Sequence, residues 1–126
     1  MIFIDSTYFI GLLLPKDNWN EKAKNVIIPK DTFLINNLVV SEVLNIVSKR
    51  SSRKVSEVYE ILKNTCEIVC LTKEDYRKAM DLCEYYNNSV NYSDCLILVS
   101  MQNEGVDKIV SFDDGFKKVG TLKVIN

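Results

Sequence analysis

Four carboxylates stand out among the seventeen acidic residues because each falls next to a predicted element boundary. They are Asp5, Glu42, Asp94 and Asp113. Hard divalent cations such as Mg²⁺ take oxygen ligands, and a cation held by carboxylates can activate water and stabilise displacement at a phosphodiester. This chemistry needs no histidine, and the chain has none. The absence of histidine also excludes a Ser-His-Asp triad, a Cys-His pair and a His-ligated zinc site.

Each of these acids also has a simpler structural interpretation. Asp5 and Asp94 could be helix caps, Asp113 could set a turn, and Glu42 could be an exposed helix residue. A carboxylate near a helix N-terminus contributes about 0.3–1 kcal/mol in this way. If the four acids meet in one crevice, they repel one another unless protonation or a bound cation offsets their charge.

Hydroxyl residues adjoin all four acids. These are Ser6, Thr7, Ser41, Ser93 and Ser111. Such hydroxyls could orient carboxylates or hold water around a metal, and they could equally be ordinary helix caps.

The elements that must position the acids are short strands alternating with helices. Apolar runs predict strands at residues 1–4, 32–35, 67–71, 108–111 and 122–125. Helical spacing and cap residues predict helices at 6–14, 18–26, 38–49 and 54–62, another from Thr72, and one from Asn91 or Ser93 to about Asn103. Residues 113–116 form a turn or a short helix.

This alternation predicts an α/β domain with a mainly parallel sheet. The carboxyl ends of parallel strands share one edge, where ligands usually bind. Asp5 and Asp113 follow predicted strands, and Asp94 lies in the first turn of a predicted helix. Glu42 joins them if its helix starts at the same edge.

The bulk composition is that of one compact domain over residues 1–126. Hydrophobic residues make up 47% of the chain and the formal net charge is -1, which argues against a surface that binds nucleic acid everywhere. No signal peptide or membrane-spanning run is visible, so we expect a cytoplasmic protein with no membrane contact. The four cysteines match no zinc-ribbon or redox spacing, and we predict that they are reduced and packed in the core.

The order and spacing of the acidic segments resemble the PIN-domain family of nucleases, and in particular the small VapC-type toxins. The matching segments are Phe3-Ile4-Asp5-Ser6-Thr7, Val40-Ser41-Glu42-Val43, Tyr92-Ser93-Asp94-Cys95-Leu96-Ile97 and Val110-Ser111-Phe112-Asp113-Asp114-Gly115-Phe116. The likeness extends over essentially the whole chain.

The resemblance implies a three-layer α/β/α sandwich around a five-stranded, mainly parallel sheet. It also implies cleavage of RNA with Mg²⁺ or Mn²⁺ held by Asp5, Glu42, Asp94 and Asp113. Ser6, Ser111 and Asp114 would support the site, with Ser111 standing where the family usually has threonine. Because Asp114 lies beside Asp113, the sequence leaves open which of the two faces the metal, and the phenylalanine three residues after Asp113 favours Asp113. Similar proteins are often homodimers, and the toxins pair with an antitoxin protein.

A basic cluster provides candidates for RNA contact, namely Lys49, Arg50, Arg53 and Lys54. The same cluster could be a solvated helix junction. Trp19 and the pair Tyr85-Tyr86 could stack bases, or they could pack in the core or at a dimer contact.

Three other functions compete with the metal-dependent ribonuclease. A haloacid-dehalogenase-like phosphatase needs a second aspartate two residues after the first, and Thr7 occupies that position. A response-regulator receiver needs paired acids after the first strand, and these are missing. The remaining alternative is a non-catalytic PIN-like module that binds RNA or protein, although the presence of all four acids favours an active site.

Overall fold

The computed structural model describes residues 1–126, and its centre is one sheet of five parallel strands. The strands are β1 (Ile2–Ile4), β2 (Phe33–Asn36), β3 (Cys66–Val69), β4 (Lys108–Val110) and β5 (Lys123–Ile125). Their order across the sheet is β3-β2-β1-β4-β5, and every neighbouring pair is parallel. The predicted five-stranded parallel sheet is therefore confirmed.

Six α-helices and one short 3₁₀ helix connect the strands. They are α1 (Ser6–Leu13), α2 (Asn20–Asn25), α3 (Asn37–Arg50), α4 (Val55–Thr65), α5 (Lys73–Tyr85), α6 (Tyr92–Glu104) and the 3₁₀ helix Asp114–Lys118. All the predicted helices are present. The second begins two residues later than predicted because Asp17 and its neighbours form a turn whose backbone bonds lead into the helix.

The helices form a layer on each face of the sheet. The chain moves outward from β1 to β3 through α1–α4, and it crosses back to β4 through α5 and α6. Since parallel crossovers are right-handed, these opposite directions place the two groups of helices on opposite faces. In agreement, α1 packs on α2 and α3, α3 packs on α4, and α5 packs on α6. The predicted three-layer sandwich is thus confirmed.

The core runs through the central strands and α6. All three residues of β1 are buried, and α6 is buried continuously from Asp94 to Met101. Cys95 lies in this core, whereas Cys70 is exposed. The prediction of core cysteines was therefore wrong for Cys70, which follows β3 at the edge of the sheet. No helix combines the length and the hydropathy that a membrane span requires.

Helix ends follow the predicted cap chemistry in two places and depart from it in a third. Thr72 and Asp75 form a reciprocal capping box at the start of α5. Gly105 ends α6 with a φ of 67°, a left-handed conformation that glycine adopts without strain. Asn91 occupies the N-cap of α6, but its side chain makes no capping hydrogen bond.

Asn36 joins the two helices that carry Glu42 and Asp94. Its Oδ1 accepts from the Val39 N–H at 3.0 Å, which caps α3. Its Nδ2 donates to the Ser100 Oγ of α6 at 3.0 Å. Asn36 is fully buried, so neither bond can be replaced readily by water.

We predict that Asn36→Ala lowers the free energy of unfolding by about 2 kcal/mol or more, since a helix cap and a buried hydrogen bond are lost together. Urea unfolding at neutral pH measures the loss. Ser41→Ala is the control, because Ser41 lies on the exposed side of α3 and its hydroxyl bonds only within the helix. Equal stability of the two variants would contradict this role of Asn36.

Candidate active site

Asp5 and Asp113 lie at the point where the strand order changes direction. Asp5 directly follows β1, and Asp113 lies three residues after β4, which is the neighbour of β1. The chain continues from β1 to β2 on one side, while β4 and β5 lie on the other. A crevice at such a switch point, beyond the carboxyl ends of the strands, is the usual binding site of an open α/β sheet.

Two helices bring Glu42 and Asp94 to the same crevice. Glu42 lies in the second turn of α3, and Asp94 lies in the first turn of α6. All four acids line one cleft of about 250 Å³. Asp5 and Asp94 are 5% and 6% exposed, whereas Glu42 and Asp113 are partly exposed. The structure thus brings together the four residues that the sequence singled out.

Hydroxyl groups fix the Asp5 carboxylate. Asp5 Oδ2 accepts from Ser111 Oγ at 2.7 Å and from Thr7 Oγ1 at 3.1 Å. The same hydroxyls accept backbone N–H groups from the loop after β4, Ser111 from Asp113 and Thr7 from Phe112, both at 3.0 Å. Ser111 and Thr7 therefore join the loop after β4 to the acid after β1. Sequence reasoning noticed Thr7 only as a neighbouring hydroxyl, although its position two residues after Asp5 gave the signal.

Ser6 has the corresponding role for Glu42. Its Oγ donates to Glu42 Oε2 at 2.8 Å, which ties α1 to α3 across the cleft. Glu42 Oε1 accepts no hydrogen bond from the protein and remains available to a ligand.

Asp94 accepts no hydrogen bond from an N–H or O–H donor of the protein, and the side chain that acts on it most directly is the Asp113 carboxylate. Asp94 Oδ2 is the buried side-chain polar atom that lacks any hydrogen bond. Burial raises the pKa of Asp94 to about 8, and the Asp113 carboxylate adds to the increase, with smaller contributions from Asp5 and Glu42. None of the ion pairs of the protein includes these four acids. The chain itself supplies no positive charge to offset them.

Gly115 leaves room for this unpaired carboxylate. A Cβ at position 115 would lie 2.7 Å from Asp94 Oδ2 and about 3.5 Å from Asp113 Oδ1. The Gly115 N–H also donates to Asp113 Oδ1 at 3.0 Å. Gly115 is a site residue that sequence reasoning missed, although it lies within the last matching segment.

Asp5 shows a balance of opposing effects. Burial raises the pKa of its carboxyl group, and the Asp113 charge raises it further. Hydrogen bonds from Ser111, Thr7 and the Ser6 N–H favour the ionised form and partly offset the burial. No such donor acts on the Asp94 carboxyl group.

Asp114 lies outside the cleft. Its side chain is 89% exposed and pairs with Lys117 at 3.0 Å. Asp114 belongs to the 3₁₀ helix, for which Asp113 is the N-cap. The backbone therefore turns Asp113 toward the cleft and Asp114 toward solvent, which removes the reason for including Asp114 among the supporting residues.

The four residues of the basic cluster do not share one environment. Arg50 donates to Asp17 Oδ1 at 2.9 Å, and the Asp17 side chain is only 8% exposed. Lys49, Arg53 and Lys54 are exposed and form no ion pair. These three remain predicted RNA contacts, whereas Arg50 is engaged within the protein.

The simpler capping interpretation holds for two of the acids. Asp5 accepts the Ser6 N–H at 2.8 Å as the N-cap of α1, and Asp113 caps the 3₁₀ helix. Asp94 makes no such bond, so capping does not explain its burial. Asp5 and Asp113 combine a structural role with a place in the cleft.

The donor atoms of the cleft suit a hard divalent cation. They are carboxylate and hydroxyl oxygens, with no nitrogen or sulfur ligand from histidine or cysteine. No three acidic side chains approach closely enough to form a ready-made cage. Mg²⁺ usually keeps several waters and takes only one or two carboxylates, so the unpaired Asp94 Oδ2 and the free oxygen of Glu42 fit it.

These features define an open α/β protein with a carboxylate cleft at its switch point. The PIN-domain family profile matches residues 2–122, and the chain belongs to the PIN-domain family.

Solved structures with this fold include toxins of toxin–antitoxin pairs. VapC20 of Mycobacterium tuberculosis, described as a sarcin-ricin loop cleaving toxin, has a TM-score of 0.83, 18% identity and full coverage of both chains. A toxin–antitoxin complex from Klebsiella pneumoniae has a TM-score of 0.71 and 14% identity over 98% of this chain and 96% of the other. VapBC2 of Rickettsia felis, bound to promoter DNA, has a TM-score of 0.66, 20% identity and full coverage of both chains. No curated protein matches the sequence.

We predict that the stability of the metal-free protein depends on Asp94 and on pH. The pKa of Asp94 is about 8 in the folded protein and 3.8 ordinarily, so between these values the folded state binds more protons than the unfolded chain. This carboxyl group therefore lowers stability as pH rises from about 4 to about 8. Urea unfolding in EDTA should show Asp94→Asn gaining stability over wild type, by an amount that grows with pH.

Asp107→Asn is the matched control, because Asp107 is exposed and its side chain makes no hydrogen bond. It should keep the wild-type pH profile. A large loss of stability in Asp94→Asn at every pH would show that Asp94 supports its helix instead.

Proposed function

We propose that this chain is an endoribonuclease that hydrolyses RNA phosphodiester bonds with the help of Mg²⁺ or Mn²⁺, and that it is the toxin of a toxin–antitoxin pair. The observation that carries the proposal is the unpaired, buried Asp94 carboxylate in a cleft with three other acids and no basic residue. Such an arrangement is unfavourable unless protons or cations enter it. The likeness to VapC toxins supports RNA as the substrate.

In the proposed mechanism the carboxylates of the cleft would hold the cations, and the hydroxyl groups orient these carboxylates. Bound divalent cations would supply charge neutralisation, a nucleophilic water and stabilisation of the leaving oxygen. Asp94 and Glu42 each present an oxygen with no protein partner. Ser111 and Thr7 orient Asp5, and Ser6 orients Glu42, so the carboxylates are held before a ligand arrives.

An antitoxin and a second copy of the chain are the partners we propose. Two of the structural neighbours are described as toxin–antitoxin assemblies. An antitoxin that inhibits the enzyme would need to cover the cleft or displace its cations. The likeness to VapC-type toxins also supports a homodimer.

We predict that cleavage of RNA stops in EDTA and returns with Mg²⁺ or Mn²⁺. Asp5→Asn and Asp113→Asn should each lower kcat/KM by about 100-fold or more, since loss of even a group supporting a metal ligand costs about 10- to 100-fold. Asp114→Asn is the matched control beside Asp113, and it should retain wild-type cleavage because Asp114 faces solvent.

Circular dichroism must show that each variant remains folded. Equal cleavage by wild type, Asp5→Asn and Asp113→Asn would point to a contaminating nuclease. Binding of RNA without cleavage under any metal would favour a non-catalytic PIN-like module.

We predict that Gly115→Ala lowers kcat/KM by about 10- to 100-fold, since a displacement near 1 Å at a reacting group has effects of this order. A Cβ at this position would meet Asp94 Oδ2 at 2.7 Å and push the carboxylate out of place. Gly120→Ala is the control, because a Cβ there meets nothing within 4 Å. Indistinguishable rates for the two alanine variants would mean that Asp94 need not keep its position.

A further inference from the structure

One wall of the carboxylate cleft is apolar and includes an aromatic ring. Ile10, Trp19, Ile46 and Ile97 line the same cleft as the four acids. Trp19 is partly buried, and its indole N–H has no partner within the protein while remaining accessible. Trp19 packs against the hydrophobic core and also lines the cleft.

The position of Trp19 is fixed by close packing on α1. A Cβ at Gly11 would lie 2.9 Å from the Trp19 Cβ, so the absence of a side chain at Gly11 permits the contact. The neighbouring Asn20 donates to the Gly11 carbonyl at 2.8 Å. The loop before α2 is therefore held against α1, which fixes the backbone and the Cβ of Trp19 beside the cleft.

Asp17 and Arg50 hold the same loop from the other side. Asp17 Oδ2 accepts the backbone N–H of Trp19 at 2.9 Å, and Asp17 Oδ1 accepts from the Arg50 guanidinium at 2.9 Å. Arg50 lies in the last turn of α3, about 12 Å along the helix from Glu42 at 1.5 Å per residue. Trp19 also borders a second shallow cleft with Asp17 and Arg50, so it lies between Arg50 and the acids.

We infer that Trp19 is the surface on which one nucleobase of the substrate stacks, next to the phosphodiester at the carboxylates. Asp17 and Arg50 are the residues that position it. The inference rests on the proposed ribonuclease function and deepens it. A base that stacks on a protein ring must leave its own helix, so the substrate is an unpaired segment of RNA at this nucleotide.

Fluorescence tests the stacking directly, because Trp19 is the only tryptophan in the chain. A short oligodeoxyadenylate and the same backbone without bases are titrated into the wild-type protein with Mg²⁺. Stacking predicts saturable quenching by the oligodeoxyadenylate and none by the abasic backbone. Equal quenching by both, or no response to the oligodeoxyadenylate, would overturn the inference. This readout does not depend on cleavage, so it separates failure of the inference from failure of the proposed function.

Cleavage kinetics provide a second test. Trp19→Ala should lower kcat/KM by about 5- to 150-fold, mainly through KM, which is the usual range for one stacked base. Trp19→Phe should recover most of this loss and guards against a folding defect in the alanine variant. Tyr59→Ala is the control, because Tyr59 is 40% exposed and does not line the cleft. Removal of the stacked base from the RNA should impair wild type and leave Trp19→Ala unaffected, and an equal effect on both would contradict stacking.

Salt dependence distinguishes a positioning role of Arg50 from direct phosphate contact. Loss of a phosphate contact reduces the slope of log KM against log salt by about 0.7 to 0.9. If Arg50 acts only by positioning the loop, Arg50→Gln should raise KM by the same factor as Asp17→Asn. Its slope of log KM against log salt should equal that of wild type. The double variant should have no higher KM than either single variant. A reduced slope in Arg50→Gln alone would make Arg50 a phosphate contact and remove its positioning role.

Discussion

The cost of placing four carboxylates beside a buried core is the constraint on which the rest of this structure depends. Asp94 shows it most clearly, since burial and the Asp113 charge raise its pKa to about 8. Most buried acids are relieved by a basic partner or by hydrogen-bond donors. Asp5 has such donors in the Ser111 and Thr7 hydroxyls and the Ser6 backbone N–H, whereas Asp94 Oδ2 has none. The cleft is therefore prepared for a positive ligand from outside the chain.

The architecture makes this arrangement tolerable by fixing each acid from a different rigid element. Two adjacent strands end at the cleft, and two helices on opposite faces of the sheet begin near it. Asn36 connects these helices, because its side chain caps α3 and also donates to Ser100 of α6. Repulsion among the acids cannot spread them apart without breaking such bonds. The folded structure thus keeps the four carboxylates close together although their charges repel one another.

The sheet and the helices could be predicted because they depend on local patterns, namely short apolar runs and cap residues. The four acids were singled out by their places after strands or early in helices, and by the order of the segments that resemble the PIN-domain family. The choice between Asp113 and Asp114 depended on how the backbone turns into the 3₁₀ helix, which the residue types alone do not encode. Gly115 was not recognised as a site residue, since its role comes from its contact with Asp94 in a distant part of the chain. Trp19 was named only as one of two possible base-stacking positions, because the sequence does not show which aromatic residues border the cleft. For the same reason the ion pair between Arg50 and Asp17 could not be predicted.

No basic residue lines the cleft, so the chain itself offers no positive charge to a phosphodiester there. Every ion pair lies away from the cleft, and Lys117 neutralises Asp114 while Asp113 beside it stays unpaired. An RNA phosphodiester is itself negative, so the metal-free cleft repels the group it is proposed to cleave. In the proposed function, cations would enter first and change the sign of the local field. The apolar wall around Trp19 would then provide an attraction that does not depend on charge, and it would act on the base while the cations act on the phosphate.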